Sequence, residues 1–322
     1  MNARPLLDVK DLRTAFVAGD RRVDAVRGVD FSIFEEESLG LIGESGSGKT
    51  VTGLTVLRLL PEHARATATT LRFRDFDLTS LDDEALRRLR GVEMAMIFQD
   101  PVGSFNPAKT IGWHLRQAVA RRAPEQARGW REEATALLAD VGIRQTGRVL
   151  SAFPHELSGG MLQRALIAMV IALRPALIIA DEPTTNLDNL VERQILDLIR
   201  LHQKRLKASV LFITHDLAIA EDVCDRIAVM YAGEIVEIGS ADAVLRDPKH
   251  PYAQGLLETS RSLERRDEYL FELKGEPGGR IPAQGCAFAP RCPLVMPRCR
   301  LVHPRMVAAG ADREARCLLY GE

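Results

Sequence analysis

The residues best suited to chemistry fall in three short segments: GESGSGKT from Gly43 to Thr50, LSGG from Leu157 to Gly160, and ALIIADEP from Ala176 to Pro183. The first fits G-x-x-x-x-G-K-[ST]. In that pattern Gly43, Ser45, Gly46, Ser47 and Gly48 let successive backbone N–H groups wrap a row of phosphates. Lys49 can neutralise charge on the β and γ phosphates, and the Thr50 hydroxyl can ligate a Mg²⁺ that bridges them. The pattern therefore implies binding of a nucleoside triphosphate, ATP in the simplest case.

Asp181 ends an apolar run, where a carboxylate beside a phosphate loop has one sensible partner, the magnesium or a water that it holds. Glu182, its neighbour, points elsewhere and can polarise the water that attacks the γ phosphate. Gln99 follows the apolar run MAMIF, and His215 follows SVLFIT. Both then stand at the carboxyl edge of core strands, where open α/β sheets bind ligands, so both can reach a γ phosphate. LSGG puts Ser158, Gly159 and Gly160 at the amino end of a helix, where unsatisfied N–H groups and the helix dipole favour an anion. A simple P-loop enzyme has no use for this second phosphate clamp. It reads as part of an inserted helical arm, which implies service to the nucleotide of another chain. Two chains facing head to tail would sandwich two ATP molecules, and hydrolysis would release the sandwich.

These groups need elements to hold them. Residues 23–42 alternate apolar and polar positions and end in SLGLI, so strands lead straight into the phosphate loop. Thr50–Leu60 reads as a helix whose first turn carries the lysine. Ile111–Val149 has a helical pattern broken at Pro124 and near Gly142, followed by an apolar helix from Met161 to Leu173. ALIIA and SVLFI are continuous apolar strands of the kind buried in a parallel sheet, with NLVERQILDLIRLHQKRL as the helix between them. RIAVMYAGEIVEIG predicts a hairpin turning at Ala232 and Gly233. The texture changes near Pro248: HPY at His250–Tyr252, a charged segment RSLERRDEYL, then a Gly/Pro-rich linker. The last residues carry little apolar periodicity and would struggle to form a core without a metal staple.

With 322 residues the chain can hold one large domain and an appendage. Its net charge of -1 leaves no overall basic footprint, so no nucleic-acid partner is expected. MNARPLLDVKDLR does not read as a secretory signal. The longest apolar run, Ala165–Leu173, is nine residues, well short of the roughly 18–20 needed to span a bilayer, so a membrane role would be peripheral. Of the five cysteines, Cys286, Cys292, Cys299 and Cys317 crowd near the C-terminus, and clustered thiols in a reducing compartment suggest a metal. Cys224, remote in sequence, reads as an ordinary buried cysteine.

Together these residues resemble an ABC transporter ATPase over essentially the whole chain. The resemblance implies an α/β fold: a P-loop ABC nucleotide-binding domain over 1–248, with a RecA-like core, an antiparallel β subdomain and a helical subdomain inserted at about 100–172. A small Cys-rich extension over 249–322 follows. By the same resemblance Gln99 is the coupling-loop glutamine and a Mg²⁺ ligand beside Thr50 and Asp181, Glu182 the catalytic base, and His215 the switch histidine. Asn186–Asp188 matches the D-loop, so Asp188 joins Ser158, Gly159 and Gly160 at the partner chain's ATP. An aromatic near the N-terminus stacks on adenine in the family; Phe16 is the candidate, with Phe31 and Phe34 competing as core residues.

GESGSGKT, IFQDP followed by NP, LSGG, DEPTT, HPYAQGLL and GCAFAPRCP are similar, more narrowly, to the D-type ATPases of dipeptide, oligopeptide and nickel importers. In some of these, four C-terminal cysteines ligate an iron-sulfur cluster. The spacing here is C-x5-C-x6-C-x17-C, which could hold a [4Fe-4S] cluster; zinc and reduced spectator thiols are the alternatives. The resemblance further implies two transmembrane permease subunits, an extracytoplasmic solute-binding protein and a second ATPase, first an F-type chain in a heterodimer and second another copy in a homodimer. The place of action would be the cytoplasmic face of the inner membrane. Two positions depart from the pattern: Leu162 within LSGGMLQR, where Arg is common, and Asn186, where a small residue is usual. The competing function is a soluble ABC ATPase acting on ribosomes, DNA or iron-sulfur assembly.

Overall fold

Runs that are apolar at every position become strands buried on both faces, because only a covered parallel sheet can use them. SLGLI, LIIAD and SVLFIT are apolar but for Ser38, Asp181, Ser209 and Thr214 at their ends, and every residue in all three is buried. The computed structural model describes residues 4–184, 189–265, 273, 275 and 281–321. Along the chain the strands are β1 (Leu7–Ala18), β2 (Arg21–Ile33), β3 (Ser38–Ile42), β4 (Ala64–Thr67), β5 (Thr70–Phe73), β6 (Phe76–Asp77), β7 (Met94–Ile97), β8 (Leu177–Asp181), β9 (Ser209–Thr214), β10 (Arg226–Tyr231), β11 (Glu234–Ser240), β12 (Val307–Ala308) and β13 (Arg313–Ala315). The helices are α1 (Lys49–Val56), α2 (Asp83–Leu89), α3 (Ile111–Arg122), α4 (Trp130–Asp140), α5 (Thr146–Ser151), α6 (Gly159–Leu173), α7 (Asn189–Leu206), α8 (Leu217–Val223), α9 (Ala241–Arg246) and α10 (Pro251–Arg265).

These elements form two compact units. One comprises residues 1–34, 38–80 and 212–322. In it β1 pairs antiparallel with β2, β4 and β5, and β5 with β6. β3 pairs in parallel with β10, whose hairpin partner is β11. The hairpin turns at Ala232 (φ 48°) and Gly233 (φ 83°), both left-handed, as a tight turn between right-twisted strands requires. β13 adds antiparallel to β11, and β12 to β13, so the C-terminal residues extend an existing sheet where their sequence alone promised no core.

The other unit comprises residues 35–37 and 81–211. β7 and β8 pair in parallel, Met94 against Leu177 through Ile97 against Ala180. The helical pattern breaks where expected: α3 ends at Arg122, α4 follows a tight turn through Pro124–Gly129, and α5 begins after Gly142. Ala118, Val119 and Ala172 form a core against which Trp130, Leu137, Met169 and Leu173 pack. Arg122 locks α3 to α4 with two bonds to Glu133, at 2.7 and 3.0 Å, and donates a third to the Ala172 carbonyl at 2.8 Å. β9 carries the chain from this unit to the first, residues 209–211 lying in one and 212–214 in the other.

Candidate functional site

The phosphate loop joins β3 to α1, and its backbone permits only glycine at two points. Gly43 has φ +157°, and a Cβ there would sit 2.2 Å from the Met230 carbonyl oxygen; at Gly48, φ +107°, it would sit 2.4 Å from that of Ala25. The loop is thus pressed against β2 and β10. Gly48 starts α1 with no side-chain cap, so the first amides of the helix stay available to an anion. Lys49 is buried, 5 % exposed, and donates to the Gly43 and Glu44 carbonyls at 2.8 and 3.0 Å. Ser47 Oγ is buried and finds no hydrogen-bond partner among the described residues. A buried orphan hydroxyl beside an enclosed ammonium is the donor set a phosphate needs.

Phe16 lies on β1 opposite Val23 of β2 and Ala64 of β4, half-buried, with its ring 5.7 Å from that of His63. Phe31 is 3 % exposed, which marks it as core. His215 stands exposed just past the end of β9, and Asp216 after it caps α8 by accepting from Ala218 and Ile219 N–H.

In the second unit Asp181 is 2 % exposed at the carboxyl end of β8. Glu182 follows in the left-handed region, φ +43°, a conformation that costs a non-glycine residue of order 1–3 kcal/mol and persists only where the surroundings enforce it. Its carboxylate accepts a 3.0 Å bond from Gln99 Nε2, so two residues 83 positions apart in the chain meet. Ser158 caps α6, its Oγ accepting from Met161 N–H at 3.4 Å, and Ser158 and Gly159 are exposed. Leu162 is buried, 2 % exposed, and Gln163 donates to the Pro183 carbonyl at 2.6 Å, tying α6 to the segment after Glu182. Asn186 and Asp188 lie outside the described residues.

Cys286, Cys292, Cys299 and Cys317 are free thiols in one small region. Cys286 N–H donates to the Cys299 carbonyl at 2.7 Å, and Cys286 packs on a cluster of Ala289, Cys299 and Leu318. Burial pushes the Cys286 thiol up to about 11, and Cys292 and Cys317 rise for the same reason, neighbouring cysteines adding to it. Among the described residues no group of three or more His, Cys, Asp or Glu side chains is arranged to hold a metal. The arrangement of these side chains therefore does not by itself support the [4Fe-4S] or zinc shell expected from the spacing. Cys224 is buried and packs under Gly40, as expected of a core cysteine.

Three residues escaped the sequence reading as participants, namely Glu44, Tyr252 and Arg291. Tyr252 Oη accepts from Glu44 N–H at 2.8 Å, and Arg291 makes a two-pronged pair with the Glu44 carboxylate at 2.7 and 2.9 Å. The HPY tripeptide was the available signal. Glu237 on β11 accepts from the N–H groups of Lys249 and His250, and His250 Nδ1 accepts from Tyr252 N–H at 3.1 Å. Pro251, which lacks an N–H, opens α10, and Gln254 N–H donates to the His250 carbonyl at 3.0 Å.

A strand, a phosphate loop and a helix in one unit, with a strand-end Asp-Glu pair and an LSGG-capped helix in the other, define a P-loop ATP-binding protein. Comparison with known proteins narrows this class. Residues 26–185 match the family described as ABC transporter, and residues 236–299 the family described as the C-terminal region of oligopeptide/dipeptide transporters. The dipeptide transport ATP-binding protein DppD of Haemophilus influenzae is 42% identical over 315 residues, 97% of this chain and 94% of that one. The oligopeptide transport ATP-binding protein OppD of Bacillus subtilis is 42% identical over 304 residues, 94% of this chain and 85% of that one. Among solved structures, a dimer of the ATP-binding cassette MJ0796 in a post-hydrolysis state with ADP and Pi superposes with TM-score 0.64 at 25% identity, over 73% of this chain and 98% of that chain. An ATP-binding subunit of an ABC transporter does so with TM-score 0.61 at 29% identity, over 75% and 92%. The chain belongs to the ABC transporter family of ATPases, and its α/β fold is that of their ATP-binding cassettes.

Proposed function

We propose that this chain is the ATP-hydrolysing subunit of a peptide importer. The observation that carries the reading is the end-to-end match to dipeptide and oligopeptide transport ATP-binding proteins, C-terminal region included. Lys49 and the amides of Gly43, Ser45, Gly46, Ser47 and Gly48 hold the phosphates, and Phe16 offers a half-buried face to adenine. Thr50, Asp181 and Gln99 are the magnesium ligands. The buried strand-end carboxylate of Asp181 fits that duty, and the ion would supply charge neutralisation at the phosphates. Glu182 takes the proton of the attacking water, held in place by Gln99, and His215 contacts the γ phosphate.

Ser158, Gly159, Gly160 and Asp188 serve the ATP of a second ATPase in a head-to-tail dimer, an F-type chain first and a second copy next. Closure on ATP and reopening after hydrolysis would drive two permeases to alternate access, fed by an extracytoplasmic solute-binding protein. No described helix is long and apolar enough to cross a membrane, which suits a peripheral subunit at the cytoplasmic face. Residues 1–248 act as the motor and 249–322 as its importer-specific extension. The four cysteines are the place for a [4Fe-4S] cluster or zinc, and iron, sulfide and zinc analysis of the chain purified without oxygen decides between these and plain thiols. The function itself is tested by mass spectrometry of what co-purifies from gently solubilised membranes. Two multi-span permeases and a second ATPase are expected; soluble partners alone would overturn transport.

A further inference from the structure

The C-terminal region grips the phosphate loop at Glu44. Every hydrogen-bonding group of Glu44 is engaged. Its N–H donates to Tyr252 Oη at 2.8 Å, and its carboxylate takes both prongs of Arg291 at 2.7 and 2.9 Å. Its carbonyl accepts from Lys49 Nζ at 3.0 Å and from Ser47 N–H at 3.2 Å. Two of these contacts come from residues more than 200 positions away, and two from the loop itself.

Both outside contacts are rigidly built. Tyr252 is 0 % exposed, its ring 4.6 Å from Tyr231 and 5.4 Å from Phe288. Its helix is anchored through Glu237 and His250, so the hydroxyl has little freedom to leave Glu44. The Arg291 side chain is 6 % exposed and its guanidinium lies over the rings of Tyr231 and Phe288, 5.7 and 6.0 Å from their centres. Burying a guanidinium is costly unless a carboxylate meets it in good geometry, and the carboxylate it meets belongs to the phosphate loop. The loop needs an outside hold: with Gly43, Gly46 and Gly48 it is conformationally loose by composition, and its amides bind phosphate well only if fixed beforehand.

We propose that Tyr252 and Arg291 are positioning residues for ATP binding: they clamp Glu44 so that its carbonyl keeps hold of Lys49 and the loop amides stay arranged for the triphosphate. The proposal rests on residues 43–50 being the phosphate loop. It assigns the C-terminal region a part in nucleotide affinity, and the segment that bears Cys286 and Cys292 also bears Arg291.

The test is ATP affinity of the full chain by calorimetry, with KM and kcat measured in the purified complex. Tyr252→Phe keeps the ring and removes only the hydroxyl; Arg291→Lys keeps the charge and loses the fork. ATP dissociation constants should rise about threefold for Tyr252→Phe and about tenfold for Arg291→Ala, with Arg291→Lys between. KM should follow while kcat at saturation holds. The double variant Glu44→Ala with Arg291→Ala should bind no worse than the weaker single one, since the two act as a pair. Unchanged affinity in Tyr252→Phe and Arg291→Lys, with melting temperature alone reduced, would show that the clamp merely packs the extension and would overturn the proposal. Additive losses in the double variant would overturn it as well. Absence of ATP binding by the unaltered chain would instead refute the phosphate-loop assignment, and the clamp with it.

Discussion

Replacing Glu182 by glutamine removes a charge and a base while leaving shape intact. The introduced amide is isosteric and its oxygen can still accept the 3.0 Å bond from Gln99 Nε2, so the loop after β8 keeps its anchor. The backbone at φ +43° is no worse for Gln than for Glu, since both branch beyond Cβ. On the proposed role, what disappears is proton acceptance from the attacking water, a contribution of about 10²–10⁴ in rate, or about 3–5 kcal/mol of barrier. ATP affinity should hold or tighten slightly, because the substitution removes a negative charge from a residue proposed to act at the γ phosphate. The assay is phosphate release by the purified complex at saturating ATP and Mg²⁺, beside equilibrium nucleotide binding. A fall of at least about a hundredfold in kcat with nucleotide retained is expected. Turnover within about fivefold of the unaltered protein would refute Glu182 as the base and leave the Gln99 contact a structural one.

Gly48→Ala should abolish ATP binding in calorimetry, because the added carbon would meet the Ala25 carbonyl oxygen at 2.4 Å in a backbone of φ +107° that alanine resists. Arg122→Ala should lower stability by about 2 kcal/mol in urea unfolding, since it leaves the Glu133 carboxylate only its longer 3.6 Å pair with Arg174 and strands the Ala172 carbonyl, and Glu133→Ala in the same background should add little. His250 is buried, and its imidazole is driven down to about 3 by that burial and by Arg316. A depressed folded value means that the stability is present above the unfolded range near 6.5 and is lost as pH falls from there toward 3, by at most ~1.4 kcal/mol per pH unit. Glu237, held high by burial, works in the opposite sense, so the contribution is read as the difference between the protein and His250→Asn, whose acid slope should be flatter.

Much of this protein is written locally. A glycine pattern that only a phosphate loop requires, apolar runs at β3, β8 and β9, and an Ala-Gly turn able to adopt two left-handed residues can each be read because neighbouring residues alone determine them. The same holds for Ser158 as the cap of α6 and for α7, which spans the segment expected of it. Long-range pairing is another matter. Nothing in QDP or DEP announces that Gln99 will bond Glu182, nor does the weak periodicity of the last forty or so residues announce that β13 will complete β11. The cysteine spacing suggested a metal staple, whereas the described residues show no group of three or more side chains arranged to hold a metal. The grip of Tyr252 and Arg291 on Glu44 was the least legible feature. A backbone pattern can be recognised from residue types within one turn or strand, but a contact across some 200 residues exists only once the sheet between them has folded and brought both ends within hydrogen-bond reach.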